Sequence, residues 1–186
     1  MLKYVLLIAV AAIGITWWQG HHAEAAAEQA SWSRIASELA HRPVSVHCQG
    51  IVSAAVDVSP EAGTVQFDAL GRPSDHTDLK RDICESLAHY PSDRLTPAFA
   101  CVEQNVPCSA RIFGDVQAVH VLAHESAHLG GQASEAAAEC QALHTTAYVA
   151  TRLGSDRTQA AAVAQFVYAH LYPNLPAEYQ SAGCVP

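Results

Sequence analysis

From His120 to Cys140 the chain reads His-Val-Leu-Ala-His124-Glu125-Ser-Ala-His128-Leu-Gly130-Gly131-Gln-Ala-Ser134-Glu135-Ala-Ala-Ala-Glu139-Cys140. Histidines at i and i+4 stand about 6 Å apart on one helical face, so His124 and His128 can converge on a single ion. Zn²⁺ accepts such nitrogens at about 2.0–2.1 Å. Glu125 is rotated about 100° from His124 around the helix axis, beside the metal, where it can take a proton from a metal-bound water. Gly130-Gly131 stops the helix and Ser134 caps another. The turn between them is short, so the two helices must lie side by side and antiparallel. This stretch therefore demands a helical pair.

A catalytic zinc normally takes three protein ligands. His120, Ser134, Glu135, Glu139 and His144 are the nearby candidates. His120 lies about 9 Å along the axis from the middle of the histidine pair, which suits a buried or outer partner. Glu135 is level with His128 and Glu139 with His124, and both acids share one face, so spacing alone favours neither. His144 is about 180° from Glu135 and points away.

Elsewhere the chain is less specific. It has 186 residues, enough for one domain with a core. The net charge is −8 with only ten Lys and Arg, which argues against nucleic acid as a partner. Lys3 precedes an uncharged apolar run from Tyr4 to Trp18, and Ala23-Glu24-Ala25 follows as a cleavage-type pattern. Residues 1–25 thus read as a signal peptide or an N-terminal membrane anchor, with membrane attachment through residues 2–20 in the second case. The chain is then exported, either extracellular or anchored facing outward. Residues 26–186 form the single remaining domain.

Six cysteines in an exported domain predict three disulfides, with fifteen connectivities open. Loop closure favours Cys101–Cys108. Cys84–Cys140 would staple the sheet region to the helices, leaving Cys48–Cys184 to tie the ends.

In chain order, Trp32, Ile35, Ala36 and Leu39 mark an amphipathic helix closed by Pro43. Val44, Val46 and Cys48, then Val56 and Val58, then Val65 and Phe67 alternate as strands of a small antiparallel sheet. Thr77–Tyr90 reads as a helix ended by Pro91, and residues 91–112 as a loop forming one wall of the cleft. The histidine helix is expected over Asp115–Leu129, its neighbour over Glu135–Leu153, and a last helix over Arg157–Leu171. The class is α+β, with the small sheet packed on a mainly helical body. Tyr148, Tyr168, His170 and Tyr172 are the candidates for a transition-state donor.

H-E-x-x-H followed by E-x-x-A-[DE] resembles the gluzincin zinc metallopeptidases, including the small single-domain minigluzincins. Residues 135–140 are similar to the E-x-x-A-D-C segment of bacterial neutral zinc metallopeptidases. The compact H-E-x-x-H-x-x-G-x-x-x-E form resembles exported actinobacterial proteins. The resemblance covers about residues 113–153. It implies Zn²⁺ held by His124, His128 and Glu135, Glu139 supporting a ligand histidine from outside, and Glu125 as the base in peptide-bond hydrolysis. Glu139 stands where the family has aspartate. The metzincin pattern fits less well, because Ser134 occupies its third-ligand position and no methionine follows Met1. The competing function is a non-catalytic zinc-binding or interaction module on the cell surface. Glu125 argues for the enzyme, since a structural zinc has no use for a carboxylate base.

Overall fold

The computed structural model describes residues 23–50 and 61–184. Helix α1 spans 23–40 and buries Trp32, Ile35 and Ala36 as the periodicity predicts, with Ala40 rather than the partly buried Leu39 completing the stripe. It ends at His41, which takes a left-handed φ of 54°. Strand β1 follows at Ser45–Cys48, β2 is the short Gly63–Thr64, and β3 is His76–Leu79.

These strands form an open three-stranded sheet in the order β1-β3-β2. β3 pairs parallel with β1 and antiparallel with β2, so the sheet is mixed rather than antiparallel. A parallel pair needs a crossover of a dozen or more residues, and the 49–75 connection supplies it. Of the expected strands, Val56 and Val58 lie outside the described residues. Val65 and Phe67 fall beyond β2, with Phe67 making an isolated bridge to Pro73.

The segment expected to be helical from Thr77 begins as strand. Thr77 and Leu79 are buried while Asp78 between them is exposed, a period of two that decides against helix. Helix α2 then runs Arg81–Asp93, through Pro91 rather than stopping before it. A 3-10 turn at Pro97–Phe99 and the short helix α3, Ala100–Glu103, occupy the region read as loop. Helix α4 is Ala110–Leu129, one turn longer at its start than expected. Ser109 caps it, its side chain accepting from the Ile112 amide.

Helix α5 is Glu135–Arg152 and α6 is Arg157–Phe166, the latter capped by Asp156 accepting from the Gln159 amide. A π-turn at Val167–Leu171 replaces the end of the expected last helix, and single 3-10 turns follow at Tyr172–Asn174 and Ala177–Tyr179. The body is thus mostly helical with a small sheet at one side. Helix α4 is its centre, packed on α2, α5 and the sheet, with Val116, Val119, Leu122 and Leu129 fully buried. Burying each such side chain contributes about 1.5–3 kcal/mol, which fixes how α4 is held.

Three disulfides close the fold: Cys48–Cys84, Cys101–Cys108 and Cys140–Cys184. The local pair is as expected; Cys84–Cys140 and Cys48–Cys184 are not formed. Cys48 ends β1 level with Leu79 of β3, and α2 starts two residues beyond Leu79, so the sheet register itself brings Cys84 to Cys48.

Membrane attachment is also corrected. Among the described residues no helix is long and apolar enough to cross a membrane. Helices α4 and α5 are interrupted by Arg111, Asp115 and Glu125, and by Glu135, Glu139 and Arg152. Residues 2–20, on which the anchored localisation was premised, lie outside the described residues.

At the start of α4, Asp93 accepts from the Arg111 guanidinium at 2.5 and 3.1 Å, which holds its carboxyl below the usual range. Asp115 is 1% exposed, and neither of its oxygens has a protein donor. Burial and the neighbouring Asp93 carboxylate push its pKa up to about 7.

Candidate metal centre

His124 and His128 project from α4 toward Glu135 at the start of α5. Nε2 of His124 and Nε2 of His128 are 2.9 Å apart, and Oε2 of Glu135 lies 3.1 and 3.2 Å from them. Two imidazole nitrogens and a carboxylate oxygen this close are held together either by shared protons or by a cation between them. Tetrahedral ligation at about 2.0–2.1 Å would set them about 3.3 Å apart, so a zinc ion fits after a shift of a few tenths of an ångström. These three residues form a cluster that could hold a metal ion.

The opposite nitrogens are already committed. Nδ1 of His124 donates to Oε2 of Glu139 at 3.0 Å, and Nδ1 of His128 to the Gln132 carbonyl at 2.5 Å. Both rings therefore turn Nε2 toward the ion position, which is how outer partners set a tautomer. Glu139 is 2% exposed, and its other oxygen accepts from Nε2 of His120 at 2.8 Å. Nδ1 of His120 meets the Thr146 hydroxyl at 2.8 Å. His120 is thus a buried partner of Glu139, away from the cluster.

Electrostatics follow this alternation. Burial raises the pKa of Glu139, but hydrogen bonds from His120 and His124 overcome it and hold the carboxyl down at about 2. Burial disfavours a charged His124, yet Glu135 and Glu139 outweigh it and lift the metal-free imidazole to about 9. The His124 hydrogen bond holds Glu135 below the usual carboxylate range.

Glu125 is 4% exposed and lines the same cleft. Its Oε2 accepts from the Thr77 hydroxyl at 3.1 Å, and burial raises its pKa. Strand β2 packs against it so closely that a Cβ at Gly63 would stand 2.7 Å from its carboxyl carbon. The sheet, whose β3 was read as helix, thus backs the acid.

The cleft holds about 490 Å³. Ala62, Gly63, Val65 and Phe67 line it from the sheet region, and Leu171, Leu175, Pro176 and Tyr179 line it from the C-terminal segment. Residues 91–112, expected to wall it, do not line it, because they pack toward α6. Of the expected donors, Tyr148 bonds Glu38 at 2.7 Å, Tyr172 bonds Ser181, and His170 meets the Asn105 carbonyl. None of these, nor Tyr168, lines the cleft. Tyr179 and Phe67 both bring rings to the site, the Tyr179 centroid 5.6 Å from that of His124 and the Phe67 centroid 6.1 Å from that of His128. Burial, then Glu135 and Glu61, push the Tyr179 phenol up to about 12, so it stays protonated. The only advance signal for Tyr179 was Cys184 five residues on, a tie back to the body.

Cys140, His144 and Cys184 make a second grouping of metal-ligating residue types, but the two sulfurs are joined to each other. The chain matches no protein-family model, and neither the curated proteins nor the solved structures contain a match to it.

Proposed function

We propose that residues 26–186 act as one zinc metallopeptidase domain of gluzincin type that hydrolyses peptide bonds in peptide or protein substrates. The observation that carries this reading is the convergence of His124 Nε2, His128 Nε2 and Glu135 Oε2 within 3.2 Å in a cleft that also holds buried Glu125. In it, His124, His128 and Glu135 hold Zn²⁺, and Glu139 fixes the His124 ring. Zinc bound there supplies a Lewis acid and a water with a pKa near 7.

Glu125 is the general base. A carboxyl whose pKa is lifted by burial accepts the proton of the attacking water and then delivers it to the leaving nitrogen. Thr77 keeps one carboxylate oxygen engaged and so orients the other.

Glu125→Gln tests this, because it keeps the size, removes the base and touches no ligand. The variant should fold, bind one zinc as tightly as the parent, and lose chelator-sensitive cleavage of unstructured peptides. Full activity in the variant would overturn the role of Glu125. A zinc-loaded parent that cleaves nothing in a broad peptide library would leave the zinc-binding module as the reading.

A further inference from the structure

The C-terminal lining of the cleft is built by a segment with little structure of its own. Residues 175–184 hold only one 3-10 turn, and their hydrogen bonds close locally. The Tyr172 hydroxyl takes the Ser181 amide at 2.9 Å, the Gln180 side chain donates to the Leu175 carbonyl at 2.7 Å, and the Tyr179 amide donates to Pro176 at 3.0 Å. A segment held this way is expected to open readily. The covalent tie is Cys140–Cys184, and it lands beside the site: Cys140 directly follows Glu139, and Cys184 is buried. Between the tie and the body, Leu175, Pro176 and Tyr179 face the cleft.

We propose that 175–184 is a strap that forms a substrate-binding wall, with Tyr179 as the contact residue and Cys140–Cys184 as the clasp that positions it. Leu175, Pro176 and the Tyr179 ring offer an apolar surface beside the metal cluster, and Val65 and Phe67 face the same cavity. The wall therefore takes substrates with an apolar or aromatic side chain next to the group under attack. Tyr179 acts here through its ring. The Cys140–Cys184 pair is a positioning element that touches no substrate. This rests on the reading of His124, His128 and Glu135 as a zinc site.

The test uses the zinc-loaded full chain and two probes, acetohydroxamate and phenylalanine hydroxamate. The first reports an accessible metal; the ratio of the two affinities reports the wall. Tyr179→Ala, and separately the double variant Cys140→Ser/Cys184→Ser, should weaken phenylalanine hydroxamate about tenfold while acetohydroxamate and zinc affinities stay within about twofold. Tyr179→Phe should restore the parent ratio. An unchanged ratio in Tyr179→Ala overturns the wall, as does a loss in Tyr179→Phe equal to that in Tyr179→Ala. An unchanged ratio in the folded cysteine variant overturns the clasp, and if that variant does not fold the tyrosine pair still decides. A parent that binds zinc but not acetohydroxamate shows that the zinc-site reading has failed, and the wall falls with it.

Discussion

The two ends of helix α4 bury polar groups in opposite ways. Toward its C-terminus, base and acid alternate without a gap: Thr146, His120, Glu139, His124, Glu135 and His128 each meet the next. Toward its N-terminus, Asp115 is buried against another carboxylate, and the neighbouring Arg111 is spent on Asp93. A completed network holds its members in one geometry, whereas an unsatisfied acid is a standing cost. The comparison teaches that burial on this helix is not itself a sign of chemistry. Continuity of partners is.

The strongest way to break the histidine end is to remove an acid from it. Glu135→Ala should lower zinc affinity far more than Glu139→Ala, which should weaken it about 10–100-fold, as the loss of an outer partner does. Competition against a chromophoric chelator ranks the two. A reversed order would make Glu139 the third ligand.

Proton competition sharpens the same end. With the metal-free His124 imidazole at about 9, zinc binding below that pH must displace its proton. Zinc affinity should therefore fall by about tenfold per pH unit from pH 9 toward 7, with about one proton released per ion at pH 7. Calorimetry in buffers of different ionisation enthalpy counts that proton, and a flat profile would contradict the lifted imidazole.

The aspartate end should respond in the opposite sense and more weakly. The folded-state pKa of Asp115, about 7, lies above its ordinary value of 3.8. The folded protein then holds more protons than the unfolded one between these values, so stability falls as pH rises from about 4 to 7. Asp115→Asn should remove this dependence and raise the stability of the metal-free protein by about 1–2 kcal/mol at pH 8, with no gain near pH 4. Urea unfolding at the two pH values measures it.

Legibility from sequence follows the range of the interaction. The approach of His124, His128 and Glu135 needs only the helical period and a short turn, and both are local. Whether Glu135 or Glu139 faces the ion depends on side-chain directions that spacing leaves open. Thr77 and Leu79 also suit a helix, because Leu79, Ile83 and Leu87 recur at a period of about four. The parallel pairing of β1 with β3 depends on where a 27-residue connection, 49–75, returns, which no local pattern records. Tyr179 was missed for the same reason. It arrives through a disulfide of Cys184, whose partner is one of five other cysteines, and its neighbours Pro176, Ala177 and Glu178 carry no periodicity.

The close approach of Gly63 to Glu125 has a consequence for telling related chains from chance ones. A five-residue helical signature recurs by accident in histidine-rich sequences. A side chain at 63 would have to share space with the carboxyl group of Glu125, so an alanine there would disturb the acid without altering any polar atom. The signature thus has a distant co-requirement, a bare backbone in the edge strand opposite its glutamate. A bulkier residue there would push the acid further from its present position.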